Sequence, residues 1–213
     1  MSKTIRKTKI VCTMGPRLFE ENLVGELIKA GMNVARFNFS HGTHESHLKW
    51  LNELKRIREE MGVPVAALLD TKGPEIRVKS FAMGKVMLEA GQTFTLTTRE
   101  VEGDEDCVSV TYKDLPHDVT AGSRVLIDDG LIAMEVIRVT DTDVICRVLN
   151  GGAVSNNKGV NLPNAHLTMP FISEKDRSDI IFAAQQGYDF IAASFTRCAD
   201  DILQIRHILA EVG

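Results

Sequence analysis

The sequence predicts an α/β protein whose parallel sheet is covered by helices and interrupted by a β-rich insert. Three observations predict this. Short apolar runs alternate with longer helical patterns at the start of the chain. From about Thr71 they give way to short alternating segments punctuated by Gly, Asp and Asn, and near Phe171 the first pattern returns. Apolar strands separated by helices argue for parallel strands buried on both faces. Short alternating strands argue for a small antiparallel barrel or sandwich.

The elements follow in order. Lys9 to Thr13 reads as a strand. Glu20 to Ala30 reads as a helix with Leu23, Leu27 and Ile28 at helical spacing, and Gly31 stands where a terminating glycine belongs. Asn33 to Phe37 is a second strand, and the next helix carries Leu48, Leu51, Leu54 and Ile57 on one side up to Gly62. Pro64 to Leu69 is a third strand, apolar on both faces. The insert contributes Ile76 to Phe81, Val86 to Leu88, Thr93 to Thr97, Ile132 to Val136 and Val144 to Val148 as strands. Asp128-Asp129-Gly130 suits a hairpin turn. Ser173 with Asp176 predicts a capped helix start, running to Gly187. A strand Asp189 to Ala193 and a final helix Asp200 to Val212 follow. The segment Ala30 to Phe37 resembles Gln186 to Ala193, as repeats of one βα unit split by the insert would. About four βα units lie outside the insert, where a closed (β/α)8 barrel needs eight and about 250 residues. Pattern alone leaves half a barrel and an open α/β sheet both standing.

The 213 residues are 44% hydrophobic and 25% charged, as in globular chains. With 25 Lys+Arg against 29 Asp+Glu, the formal charge of -4 carries no footprint for nucleic acid. An anionic ligand must therefore be held by local cations. The basic segment Met1 to Lys9 runs into no apolar stretch of a signal peptide, and Val63 to Leu69 is too short to cross a bilayer. The expectation is a cytoplasmic protein with neither membrane nor nucleic-acid partners. Cys12, Cys107, Cys146 and Cys198 lie far apart with no Cys-x-x-Cys pair, as expected of reduced packing thiols.

Ligands of parallel α/β folds bind at the carboxyl ends of strands. The segments that follow the strands are Thr13-Met-Gly-Pro16 with Arg17, Arg36-Phe-Asn-Phe-Ser-His-Gly42, Asp70-Thr-Lys-Gly-Pro-Glu-Ile-Arg77 and Ser194-Phe-Thr-Arg197. Arg36 offers a planar fork for phosphate or carboxylate. Asn38, Ser40 and Asp70 are hard oxygen donors with one formal negative charge, suited to an alkali cation or a weakly held divalent ion. Gly42 before a helix start lets backbone N–H groups approach an anion, and Lys72 and Arg77 add positive charge. Each residue also has a plain alternative: Arg36 as a salt-bridge residue, Ser40 and Thr71 as helix caps, Asp70 as a turn residue, Lys158 as a solvated lysine. Their shared location at strand ends favours a site for a phosphorylated ligand and cations.

Five stretches in order along the chain, Lys9-Ile-Val-Cys-Thr-Met-Gly-Pro16, Met32-Asn-Val-Ala-Arg-Phe-Asn-Phe-Ser-His-Gly42, Leu69-Asp-Thr-Lys-Gly-Pro-Glu-Ile-Arg77, Val125-Leu-Ile-Asp-Asp-Gly-Leu131 and Lys158-Gly-Val-Asn-Leu-Pro163, resemble the pyruvate kinase family. The resemblance implies a partial (β/α)8 TIM barrel interrupted by an all-β B domain. Residues 1–71 would be the first part of the barrel (A) domain, 72–170 the B-domain lid and 171–213 the barrel's continuation. It implies transfer of the phosphoryl group of phosphoenolpyruvate to ADP in glycolysis, giving ATP and pyruvate, with magnesium and usually potassium, by an enzyme that commonly forms homotetramers. By position in the motifs, Arg36 would contact the substrate phosphoryl group. Asn38, Ser40, Asp70 and Thr71 would hold potassium, Thr71 through its carbonyl. Arg77 and Lys158 would contact nucleotide phosphates, Asn38, Phe39, Ser40 and His41 would line that site, and Asp128 would lie on the lid face. The family keeps its catalytic lysine and a magnesium-binding glutamate in a Lys-Ile-Glu motif after the fifth strand. The 213 residues contain no such motif, so the catalytic lysine and magnesium ligands are expected beyond the chain end and the chain alone to be inactive. The alternative is a non-catalytic module that binds a phosphorylated ligand or nucleotide.

Overall fold

The computed structural model describes residues 7–213, so most of the basic segment Met1 to Lys9 lies outside the described residues. The chain divides into two compact units, one of residues 1–74 and 170–213, the other of residues 75–169.

The first unit begins with β1 (Val11–Thr13), α1 (Pro16–Glu20), α2 (Val24–Ala30), β2 (Val34–Asn38), α3 (His44–Met61) and β3 (Ala66–Asp70). The single helix expected over Glu20 to Ala30 is instead two. The chain turns between them at Asn22, whose φ of 54° is left-handed. Asn tolerates that conformation because its short amide bonds locally. Gly31 ends α2 at φ 113°, and Gly62 ends α3 at φ 61°. At the start of α3 the cap is Thr43, not Ser40: its hydroxyl accepts from the Ser46 N–H. Leu51 and Leu54 of α3 pack with Phe37, Phe39 and Leu69 in the unit's main core. Each such side chain contributes roughly 1.5–3 kcal/mol by leaving water.

The second unit runs through β4 (Ile76–Arg77), β5 (Lys85–Leu88), β6 (Thr93–Thr97), β7 (Cys107–Ser109), α4 (Leu115–Asp118), β8 (Arg124–Ile127), β9 (Ile132–Val139), β10 (Asp143–Val148), β11 (Gly152–Ser155) and β12 (Gly159–Asn161). Seven strands pair in the order β4-β12-β8-β9-β10-β6-β7, with β5 and β11 forming a separate antiparallel pair. The sheet's two ends meet. Val78 bridges Val110, the Lys79 N–H donates to the Ser109 carbonyl at 2.7 Å, and the Thr111 N–H donates to the Arg77 carbonyl at 2.9 Å. Closure satisfies edge groups that would otherwise invite pairing with another chain. The pairing is antiparallel except between β6 and β7, which run parallel because residues 98–106 carry the chain back to the same end. Asp129 and Gly130, at φ 55° and 90°, make the tight turn from β8 to β9. Phe94, Leu96, Val125, Met134 and Cys146 fill a core of the unit's own.

The chain returns to the first unit with α5 (Glu174–Gln186), β13 (Phe190–Ala192) and α6 (Ala199–Val212). Ser173 and Asp176 make the expected reciprocal cap of α5. The first unit's sheet is parallel throughout, in the order β1-β2-β3-β13. The strand after the second unit therefore lies directly beside the strand before it. Phe171, Ile180, Ile205 and Ile208 form a smaller cluster between α5 and α6.

Burial pushes the Cys146 thiol up to about 12. Only the thiolate attacks disulfide reagents, so a raised value leaves Cys146 inert at pH 8 on both counts, charge and access. Exposed Cys198 is expected to label within minutes and Cys146 only after unfolding, as peptide mapping by mass spectrometry would show. Comparable native-state labelling of the two would contradict the buried placement.

Candidate functional site

The carboxyl ends of the first unit's four strands carry the candidate groups. Along β2 the side chains alternate: Phe37 and, just past the strand, Phe39 enter the core at 0% and 1% exposure, which puts Arg36 and Asn38 on the opposite face. Parallel register sets Thr13 beside Arg36, Asn38 beside Asp70, and Asp70 beside Ala192.

Arg36 and Asp70 form the centre of this arrangement. The guanidinium donates to Asp70 Oδ2 through Nε at 2.8 Å and through Nη2, and to Thr13 Oγ1 through Nη1 at 2.7 Å. Ser194, just after β13, donates its hydroxyl to Asp70 Oδ1 at 2.8 Å. One carboxylate and one guanidinium thus gather groups from all four strand ends. Three Arg36 N–H groups are engaged in these bonds; the rest of its five donors remain for another anion. Asp70 Oδ1 likewise keeps acceptor capacity beyond Ser194.

Around this pair, the Asn38 side-chain oxygen accepts from the Ser40 N–H at 2.9 Å, and the Asp70 carbonyl accepts from the Phe39 N–H at 3.0 Å. The Thr71 hydroxyl accepts from the Ser194 N–H at 3.0 Å, so this side chain is tied to the segment after β13. Phe39 offers a ligand no side chain, since its ring is buried and stacked on His47 with centroids 4.0 Å apart. His41 is exposed. Gly73, at φ 67°, passes so close to Ser194 that an added Cβ would lie 2.7 Å from its carbonyl oxygen.

The second unit gathers the remaining candidates around β4 and β12. Arg77 donates to Glu75 Oε2 at 2.8 Å and to the Asn157 carbonyl at 2.5 Å; the carboxylate raises its already high pKa. Lys158 Nζ lies 3.0 Å from Asp128 Oδ1, and the Asp128 N–H donates to the Gly159 carbonyl at 3.0 Å. Arg77, Lys158 and Asp128 thus share neighbouring strand ends, with both cations partly neutralised.

Thr13 and Ser194 stand in the strand-end segments of the sequence, which by itself gives them no role. His47, Lys175 and Asp179 carry no such signal in the sequence. A lysine and an aspartate four apart on α5 read as a surface ion pair, and nothing local signals that the lysine reaches the loop after β2 and the aspartate the start of α3. Among the described residues, no three His, Cys, Asp or Glu side chains are grouped to hold a metal ion, and no helix is long and apolar enough to cross a membrane.

A parallel sheet with a charged and polar cluster at its strand ends, interrupted after its third strand by a β unit, defines an α/β protein. Comparison with known proteins gives the family. Residues 5–213 match the family model described as pyruvate kinase, barrel domain, and the chain belongs to the pyruvate kinase family. It is 47% identical over 207 residues to a pyruvate kinase of Staphylococcus haemolyticus, covering 96% of this chain and 35% of that protein. To the pyruvate kinase of Geobacillus stearothermophilus it is 48% identical over 206 residues, with the same coverage. A crystal structure of a pyruvate kinase from Cryptosporidium parvum superposes with a TM-score of 0.86 at 43% identity, covering 97% of this chain and 42% of that one. The chain therefore spans about a third of the length of the curated relatives it matches.

Replacing Asp70 by Asn keeps the shape and removes the charge that holds Arg36. Asp70 is 13% exposed and Arg36 32%, so solvent screens the pair only in part. D70N is expected to cost about 1–3 kcal/mol of stability, as for other charged hydrogen bonds. Trp50, the chain's one tryptophan, packs against the first unit's core and would report the shift in urea unfolding. An unchanged midpoint would show that the pair ties nothing together.

Proposed function

We propose that this chain supplies the phosphoryl-binding and cation-binding part of a phosphotransferase that moves the phosphoryl group of phosphoenolpyruvate to ADP, giving ATP and pyruvate. The observation that carries the reading is Arg36: pinned by Asp70 and Thr13, it still has N–H donors to offer at the strand ends. Phosphoryl transfer depends mostly on positioning and on neutralising charge on the transferred group, which a guanidinium held in this way can do. The family match over residues 5–213 supports the substrate class.

In this reading residues 1–71 and 171–213 belong to the barrel domain, a partial (β/α)8 barrel, and 72–170 to the B-domain lid. The residues at the end of β2 and β3 fit potassium. Asn38, Ser40, Asp70 and the Thr71 carbonyl offer hard oxygens, and the one negative charge among them is already shared with Arg36, which suits a monovalent ion better than a divalent one. Potassium there would add positive charge beside the phosphoryl group. Within the second unit, Arg77 and Lys158 would take nucleotide phosphates, with Asp128 holding Lys158 in place. The residues present, with a single carboxylate already shared with Arg36, do not fit magnesium. The whole enzyme would be cytoplasmic and oligomeric, as a homotetramer.

The 213 residues alone are expected to form no pyruvate from phosphoenolpyruvate and ADP; turnover by a sample of verified mass would overturn this. In a complete enzyme carrying these residues, Arg36→Ala is expected to lower kcat/KM for phosphoenolpyruvate by roughly a hundredfold or more, the loss typical of a transition-state charge donor. Asp70→Ala is expected to abolish activation by potassium. Steady-state kinetics with and without potassium check both, and wild-type values in either variant would refute the corresponding role.

A further inference from the structure

In the proposed reading, Asn38 at the end of β2 and Ser40 in the short, irregular stretch between β2 and α3 present two polar side chains to a ligand. Such a loop holds a ligand geometry only if its backbone is fixed from the other side. Two side chains do this. Lys175 Nζ donates to the Phe39 carbonyl at 2.8 Å, and His47 Nε2 lies 2.8 Å from the His41 carbonyl. Lys175 is itself held by Asp179 Oδ2 at 2.6 Å, and Asp179, 2% exposed, takes His44 Nε2 on its other oxygen at 2.7 Å. His44 stacks on Phe182 and His47 on Phe39, with centroids 4.2 Å and 4.0 Å apart.

His47 is the telling residue. It is 3% exposed, among Phe37, Phe39 and Trp50. A carbonyl only accepts, so Nε2 must carry the proton and donate to His41. That leaves Nδ1 as an acceptor, and it is buried without a partner. An unpaired buried acceptor costs about 1–3 kcal/mol, which an apolar side chain in the same space would avoid. The cost is understandable if the Nε2–H bond to the loop is what the site needs. The loop also passes close to the ring: a Cβ added to Gly42, at φ 78°, would lie 3.1 Å from His47 Nε2.

We infer that His47 and Lys175, with Asp179 behind the lysine, are positioning residues that set the backbone from Asn38 to His41 and thereby aim the Asn38 and Ser40 oxygens at a bound monovalent cation. The inference rests on the proposed reading of that loop as a cation site. A merely packing role for His47 would be satisfied by any side chain that fills the space.

The test measures thallium(I), a spectroscopic substitute for potassium, binding to the 213-residue chain by titration. His47→Leu is expected to weaken binding tenfold or more, while His47→Gln, whose amide can donate near the place of Nε2, stays within about threefold of the wild type. Lys175 is half exposed and its replacement spares the core, so Lys175→Met provides a folded second variant, with an expected loss of the same size. Unchanged affinity in His47→Leu and Lys175→Met, or equal losses in His47→Leu and His47→Gln, would overturn the inference while leaving the cation site intact. If the wild-type chain binds no thallium, the cation reading falls, and hydrogen exchange of the Ser40 amide decides the rest. Exchange at least tenfold faster in His47→Leu but not in His47→Gln supports the clamp, and equal rates overturn it.

Discussion

The Arg36–Asp70 pair is the interaction on which the first unit's strand ends depend. Four parallel strands bring four carboxyl ends together, each with polar groups that have lost their ladder partners. Asp70 satisfies Arg36 and Ser194, and Arg36 in turn satisfies Thr13. A partly buried carboxylate or guanidinium alone would be costly to desolvate. Together they cancel most of the charge and still leave donor and acceptor capacity facing outward. A ligand site at strand ends needs both of these: fixed geometry and unspent hydrogen bonds.

Each of the two units has a core of its own, and this is why a β unit can interrupt a parallel α/β sheet at all. Residues 75–169 pack Phe94, Leu96 and Val125 among themselves, and their sheet closes through the Val78–Val110 bridge. The first unit, meanwhile, completes its sheet by pairing β13 with β3 across the interruption. Its stability comes from apolar faces such as Phe37, Phe39 and Leu54, and none of them belongs to the insert. Inserting a self-sufficient unit between two neighbouring strands costs little more than closing a longer loop.

Much of this was legible in the sequence because local physics decides it. The strands Asn33 to Phe37 and Thr93 to Thr97, the glycine stops at Gly31, Gly62 and Gly187, and the Ser173 cap all follow from side-chain period, backbone freedom and hydrogen bonding within a few residues. Legibility failed where local signals were weak or competed. Leucine spacing argued for one helix from Glu20 to Ala30, and the left-handed Asn22 divided it. The short strands β7 and β11 and the glycine-led β12 show too little alternation to stand out, and pairing alone makes them strands. The proposed roles of Arg36, Asn38, Asp70 and the residues of the second unit rest on strand-end position and family resemblance, which sequence provides.

By itself, then, the sequence determined which faces are apolar, where most elements stop, and which charged residues stand after strands. Only the tertiary structure decided who meets whom. Asp70 bonds Arg36 and Ser194 across 34 and 124 residues, and Lys175 reaches Phe39 across 136. Those meetings depend on sheet order and register, which are set by the packing of whole elements and not by the period of any one of them. The unpartnered nitrogen of His47 belongs to the same class: its cost becomes visible only once the aromatic rings around it are in place.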